Sequence, residues 1–504
     1  MSRMFRLQMS SCGFPLAFLI FVLTPLYSPA EKQWLHGAIR INSNISAGNR
    51  SMAQIAEEAT AAELDFIVFT DQLVARAEYG LWPLRHVVRY AREQPSIVTF
   101  GVERYLEQVR ETAAQNPDLV IIAGADVAPV YTWSGMPFTE NFTVHQWSEQ
   151  MTVFGPDSTL FYSSLPALGN EAHGFFMPGT LLKLLPLLLL IPGIRMYCRS
   201  RSSYTDAQGN RIRICDWPRM LAGIVMAAGG LLGTFELRPF TQSVGFDQYG
   251  NYGTKPYTQV IDYAHSNDAL CFWSGPEQRM EQVKSGVRFL TVPQLDDIRF
   301  TFRHNGLAGI YPDNSTAYRP GQLWDYMLLE YADGRRKVRP VAIGEVDYHG
   351  LWRIDGIQTI VHSEPSHDDV LQAIADGRSY AANINVLDRV RLTQFEVSDA
   401  AGTAAGLGET LTTDARAVTV RIAGTRSPEK MEFTAIFKLV VDGQAVAELR
   451  APAEETFEIV HDVELTRDAS MHYVRLYMED PAVTFISNPV FIQHPMNADT
   501  RDAQ

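Results

Sequence analysis

The residues able to do chemistry in this 504-residue chain lie in short stretches strung along it. His36-Gly37-Ala38-Ile39-Arg40-Ile41-Asn42-Ser43 is followed by Ser46-Ala47-Gly48 and then by Phe69-Thr70-Asp71-Gln72. Further on come Ala123-Gly124-Ala125-Asp126, Phe272-Trp273-Ser274-Gly275-Pro276-Glu277 and Gly344-Glu345-Val346-Asp347-Tyr348-His349. The last is Gly377-Arg378-Ser379-Tyr380, four residues after Ala373. Carboxylates and neutral imidazoles are donors for divalent cations, whereas guanidinium and amide groups offer N–H donors to the oxygens of an anion. The stretches contain both kinds, so a metal site and an anion site are both open. No phosphate-binding glycine loop, nucleophile elbow or Cys-x-x-Cys pair is present.

In order and spacing these stretches resemble the PHP (polymerase and histidinol phosphatase) family across residues 34–385. Its signatures run His-x-His-Thr, Ser-Asp-Gly, Thr-Asp-His, a glutamate ligand, Ala-His-Pro-Glu, Asp-x-His and a closing Ala-x-x-x-Gly-Arg-x-Tyr. The resemblance implies a distorted (β/α)7 barrel and a cluster of divalent cations that activates a bridging hydroxide for phosphoester hydrolysis. The ligand set departs from that pattern. Arg40 and Asn42 replace the paired histidines, Gln72 the histidine of Thr-Asp-His, Gly275 the histidine before Pro-Glu, and Ala47 an aspartate. Asp126 in place of glutamate, Asp347 and His349 remain, with His145 or Gln150 at one further position. Asp71 reads as scaffold, since the family's aspartate there precedes a ligand.

Arg40 dominates the physics of this site. A guanidinium keeps its proton inside a protein, and like unit charges about 4 Å apart repel by about 4 kcal/mol at the effective dielectric near a surface. Three readings follow. Arg40 pairs with Asp126 or Asp347 and the barrel mouth is a silent structural or binding surface. Alternatively, Arg40, Asn42 and Gln72 grip an anion such as a phosphoryl or uronate group. In the third, Asp126, Asp347 and His349, with His145 or His304, hold one divalent ion (zinc, manganese or iron) and hydrolyse a phosphoester. The expectation is that no cofactor is needed, with that single ion as the exception.

The elements that must position these residues alternate. A β-compatible run at 39–43 precedes a helix opened by a Ser51–Gln54 capping box, with apolar residues at Met52, Ile55, Ala56, Ala59 and Ala62. Runs at 66–69, 119–122, 269–273, 289–292 and 340–343 read as buried strands and 260–265 as helical, which together indicates parallel β/α units. Strand C-terminal ends converge on one mouth in such barrels, and the candidate residues sit there. From 388 to 495 short alternating segments at 390–397, 417–422, 433–441, 456–463, 472–478 and 483–492 read as a β-sandwich. This domain is an alternative seat of function through carbohydrate or protein contacts. Residues 496–504 read as a disordered tail.

The barrel sequence, 31–173 and 238–387, is interrupted at 174–237 by two apolar runs, 175–196 and 217–237, each long enough to span a bilayer. Lys183, Pro178, Pro186 and Pro192 are the objections to a spanning helix. Arg195, Arg199, Arg201, Arg211, Arg213 and Arg219 lie between or beside the runs against Asp206 and Asp216, which by the positive-inside rule places that loop in the cytoplasm. Residues 1–30 read as a signal peptide or N-terminal anchor, with Arg3 and Arg6 before an apolar run. The expected protein is therefore held in a bacterial-type inner membrane, its main domains on the periplasmic or extracellular side. Its expected partners are the membrane and an anionic small molecule or envelope glycan. A net charge of −14 argues against nucleic acid, and four cysteines give no disulfide framework.

Overall fold

The computed structural model describes residues 32–495 except 172–173, 175–178, 243, 285, 314, 431 and 481–482. The expected signal segment, the start of the first apolar run and the expected tail lie outside the described residues. Seven strands close into a barrel. They are β1 (Gln33–Ile41), β2 (Phe66–Phe69), β3 (Val120–Val127), β4 (Met151–Phe154), β5 (Leu270–Trp273), β6 (Gly306–Ile310) and β7 (Val341–Tyr348). Pairing runs β1–β2–β3–β4–β5–β6–β7 and returns from β7 to β1.

The expected distorted (β/α)7 barrel is met in its seven closed strands and corrected in its type, which is not (β/α)7. β4 runs antiparallel to both neighbours, and no helix lies between β3 and β4, where two short strands, Thr132–Ser134 and Thr143–His145, intervene. The run expected at 289–292 is not a barrel strand. Val287–Thr291 belongs to a separate four-stranded sheet with Met280–Lys284, Thr143–His145 and Thr132–Ser134. The other five expected runs fall on barrel strands, and β4 and β6 complete the seven.

Two layers of side chains fill the barrel. Leu35, Ile39, Phe66, Val68, Ile122, Phe154, Leu270, Phe272, Val341 and Ile343 form one buried cluster with Val370, Ala373 and Ile374 of the helix His367–Asp376. That helix, capped by Ser366 and ended by Gly377 at φ 71°, covers the strand N-termini and closes the floor. Side chains alternate along a strand, so the next inward positions are Thr70 beyond Val68, Thr152 beside Phe154, Ser274 beyond Phe272 and Glu345 beyond Ile343. All four are buried and polar. The outer face packs on helices such as Met52–Ala61, where the Ser51–Gln54 capping box is present and Met52, Ile55, Ala56 and Ala59 are buried.

After β7 the chain turns into β8 (Ile357–Ser363), antiparallel to β1, and β9 (Ser379–Asn383), antiparallel to β8. β9 then pairs with Val483–Ser487, so one sheet continues from the barrel into the C-terminal sandwich. The opposing sandwich sheet is Ala404–Gly406, Val390–Ser398, Ala417–Arg426 and Thr456–Glu464. A boundary near 387 is thus crossed by a continuous sheet. A buried pair reinforces the junction: Arg475 donates to Asp325 at 2.8 and 2.7 Å, and Tyr473 donates to the same carboxylate at 2.8 Å.

Thr180–Arg199 and Trp217–Leu237 are two apolar helices long enough to cross a membrane by length and composition. They pack on each other through small residues: a Cβ on Gly223 would lie 2.6 Å from the Gly193 carbonyl oxygen. Their other faces are bare, with Leu181 at 82%, Ile191 at 64% and Val225 at 63% exposure. Pro186 opens a 3-10 turn, Leu185–Leu189, and Pro192 falls in the first turn of Leu190–Arg199, where a missing N–H breaks no helical bond. Pro186 and Pro192 are therefore accommodated without ending the element, and Pro178 lies outside the described residues.

Candidate functional site

Arg40 enters the polar layer through a break in β1. On both sides of it the register shifts between Ile39 and Ile41, and Arg40 has φ 73°. Ile39 accordingly belongs to the interior cluster and Ile41 to the outer one. Asp347, at the end of the neighbouring strand, also has a left-handed backbone at φ 49°. Non-glycine residues rarely adopt this conformation, and it concentrates where a fold must aim particular side chains.

The two irregularities bring opposite charges together. Arg40 Nε donates to Asp126 Oδ2 at 3.2 Å and Nη2 to Gln150 Oε1 at 2.6 Å. Its Nη1 lies 3.1 Å from Asp347 Oδ1 and 3.8 Å from Glu345 Oε2. Arg40 is 5% exposed, Asp126 3% and Glu345 0%. Thr152 donates to Glu345 Oε1 at 2.8 Å and lies 3.4 Å from Asp126 Oδ1, and Ser274 donates to Glu345 Oε1 at 3.0 Å. A guanidinium thus fills the centre of the mouth, with carboxylates, an amide and hydroxyls as its walls.

Charge and burial compete at each group. Burial lowers the pKa of Arg40, but the charges of Asp126, Asp347 and Glu345 outweigh it and hold the guanidinium protonated. Burial raises Asp126 against the pull of Arg40. It raises Glu345 to about 7, opposed by Arg40 and assisted by Asp126. At the rim burial also raises Asp347, but Arg40 and His349 win and bring it to about 2. Buried Asp71 rises to about 6 despite hydrogen bonds from Ser46 and Ser43. Those bonds, from Ser43 N at 2.9 Å, Ser43 Oγ at 2.8 Å and Ser46 Oγ at 2.5 Å, make Asp71 the anchor of the loop after β1.

The other sequence candidates separate. Asn42 accepts from Ser46 Oγ at 3.1 Å, and its buried Nδ2 has no partner among the described residues. Gln72 makes a backbone bridge to Asp126, and its side chain lines a cavity of about 70 Å³ with Gln150, Arg76 and Trp147. His349 Nε2 lies 3.3 Å from Asp347 Oδ1. His145 is not with them: it sits in the small side sheet, bonded to Ser134 Oγ at 2.7 Å. His304 precedes β6 at the closed end of the barrel, its ring bonded to the carbonyls of Gly306 at 3.0 Å and Ile298 at 3.2 Å. Burial beside Arg336 lowers its pKa to about 3, leaving it neutral. Neither histidine therefore joins the candidate metal set.

The donors around Arg40 do not fit a divalent cation. The guanidinium occupies the position from which Asp126, Glu345 and Asp347 could share one, and among the described residues no group of three or more His, Cys, Asp or Glu is arranged to hold a metal ion. An incoming anion is poorly served too, because the N–H groups of Arg40 already meet Asp126, Asp347 and Gln150. The cavity beside Gln72 and Gln150 is well below the roughly 300–1,000 Å³ usual for small-molecule sites. A larger cleft, about 620 Å³, lies at Arg76, His86, Lys183 and Arg238, away from Arg40.

No family model matches this chain, and no curated protein matches it. Among solved structures it is similar to a two-domain protein of Bacteroides vulgatus assigned a PHP-like metal-dependent phosphoesterase (11% identity, TM-score 0.35, 92% of this chain and 95% of that one). It is also similar to an assigned metal-dependent phosphoesterase of Bifidobacterium adolescentis (10% identity, TM-score 0.28, 62% and 87%). A third is an amidohydrolase of Chromobacterium violaceum with bound sulfate and no metal (11% identity, TM-score 0.25, 62% and 87%).

Proposed function

We propose that this chain is a membrane-anchored PHP-like protein in which an internal ion-pair cluster stands where kin enzymes hold metal, and that it serves as a binding or assembly component of the cell envelope. The observation that carries this reading is Arg40, buried among Asp126, Glu345, Asp347 and Gln150. Expelling it to admit a dication would strand a cation in a low-dielectric wall, and retaining it would set like charges together. The bare apolar faces of Thr180–Arg199 and Trp217–Leu237 support the anchor, and the arginines between them support a cytoplasmic loop with the barrel and sandwich on the outer side. An anionic small molecule or an envelope glycan is the proposed class of ligand for the outer domains, bound away from the Arg40 cluster, whose N–H groups are already taken.

The competing reading is a phosphoesterase with one metal ion at Asp126, Asp347 and His349. One observation favours it: His349 Nδ1 is buried without a partner among the described residues. A substitution series separates the two. Arg40→His, Asn42→His and Gln72→His together should let the full chain retain zinc or manganese through gel filtration, while the parent retains less than one ion per chain. One or more ions retained per chain by the parent as well would overturn the proposal.

A further inference from the structure

The two apolar helices are joined by a β-hairpin, Arg201–Thr205 with Arg211–Cys215, whose register gives it two unlike faces. Cross-strand partners share a face and neighbours along a strand alternate. Arg201 opposite Cys215, Ser203 opposite Arg213 and Thr205 opposite Arg211 therefore make a basic face. Ser202 opposite Ile214 and Tyr204 opposite Ile212 make an apolar one. The apolar face is uncovered: Tyr204 is 51% exposed, Ile214 48% and Ile212 38%. An isolated two-stranded hairpin is marginal in water, so a face of this kind calls for a surface to lie on.

Charge and connectivity both indicate what that surface is. Arg195, Arg199 and Arg219 flank the hairpin arginines. The nearby acids are engaged by backbone: Asp206 Oδ1 accepts from Gln208 N at 2.9 Å and Asn210 N at 2.8 Å in the turn, and Asp216 Oδ1 accepts from Arg219 N at 3.2 Å at the start of the second helix. A single residue separates each strand from its helix, Ser200 on one side and Asp216 on the other. The hairpin is thereby held at the level of the helix ends. Tyr197 and Trp217 sit at that level, Trp217 68% exposed, as aromatic side chains do at a membrane–water boundary.

We infer that this hairpin is a binding surface for acidic phospholipid headgroups, its arginines on the phosphates and Tyr204, Ile212 and Ile214 at the acyl boundary. The inference rests on the membrane reading proposed above. A bilayer leaflet offers anionic oxygens and an apolar layer side by side, and a free phosphate offers the first without the second.

The test places an environment-sensitive fluorophore on Ile212→Cys of the full chain, in a Cys12→Ser, Cys198→Ser, Cys215→Ser background with Cys271 left buried. The protein is reconstituted in nanodiscs of phosphatidylcholine, alone or mixed equally with phosphatidylglycerol. The expected result is a blue-shifted emission in the mixed discs and loss of that shift in Arg201→Gln, Arg211→Gln, Arg213→Gln. Native mass spectrometry should show phosphatidylglycerol retained by the parent and about a hundredfold weaker retention by the triple variant, from roughly 1 kcal/mol per cation. Disc incorporation with emission indifferent to lipid overturns the headgroup site alone. Failure to enter discs at all overturns the membrane reading with it. If inorganic phosphate added to the detergent-held protein gives the same shift, the apolar face plays no part and the inference falls.

Discussion

Removing Arg40 should cost more than removing any one of its partners. Arg40→Met leaves Asp126 and Glu345 buried beside each other without their cation, which typically costs about 3–5 kcal/mol. Urea unfolding at pH 7 measures this, and part of the loss should return at pH 5, where the carboxylates take up protons. The parent has a pH signature of its own. Glu345 near 7, Asp71 near 6 and Glu149 near 8 keep their protons above ordinary carboxyl values because they are buried. The stability they contribute is full below about pH 4 and is lost as pH rises through 6–8. Asp347, near 2, contributes the opposite way, above about pH 4, and loses it as pH falls toward 2. The unfolding free energy from urea titration should therefore be higher at pH 5 than at pH 8, and Glu345→Gln should narrow that difference by on the order of 2–3 kcal/mol. A parent more stable at pH 8 would contradict this account of the site. Arg40 and Asp126 were legible in the sequence because each departs from a recognisable pattern. Glu345 and Ser274 were less so, although alternation from Ile343 and Phe272 points both inward. Thr152 sits on a four-residue strand after irregular chain, and nothing local marks it.

Among the elements, the helix pair depends on backbone approach. Gly223→Leu would drive a side chain into the Gly193 carbonyl and the Tyr197 amide, 2.6 and 2.7 Å from the position of its Cβ. Disulfide trapping between Cys residues placed along the two helices should lose its pattern in that variant while the pH dependence above is retained. Unchanged trapping would mean that the helices do not pack as described. The strands show why local signals mislead. β6 reads Gly-Leu-Ala-Gly-Ile, weak in β-forming residues, and is central to the barrel. Val287–Thr291 is strongly β-forming and lies in the side sheet instead. Propensity marks a strand without saying which sheet receives it. The cap on Met52–Ala61, by contrast, is a local interaction and was readable in full.

For the molecule as a whole, the sandwich completes the barrel's sheet. Truncation after residue 387 would uncover the edge of β9 and, with Phe485 removed, strip the cover from Ile360 and Tyr380, and should leave an aggregating product rather than a free barrel. Arg475→Met, which leaves Asp325 buried beside Tyr473, should lower stability by about 3–5 kcal/mol, measured by urea unfolding of the full chain. The join was hard to read because β9 and Val483–Ser487 meet only after a long excursion of chain, and pairing of that range leaves no local pattern. The order of parts was clearer: barrel motifs on either side of two apolar helices, then short alternating strands. The central claim is that a guanidinium holds the place of a metal cluster. Its most direct test is elemental analysis of the full chain after incubation with zinc, manganese or iron and gel filtration. Substoichiometric metal is predicted, and one or more ions retained per chain, lost on Asp347→Ala, would contradict it.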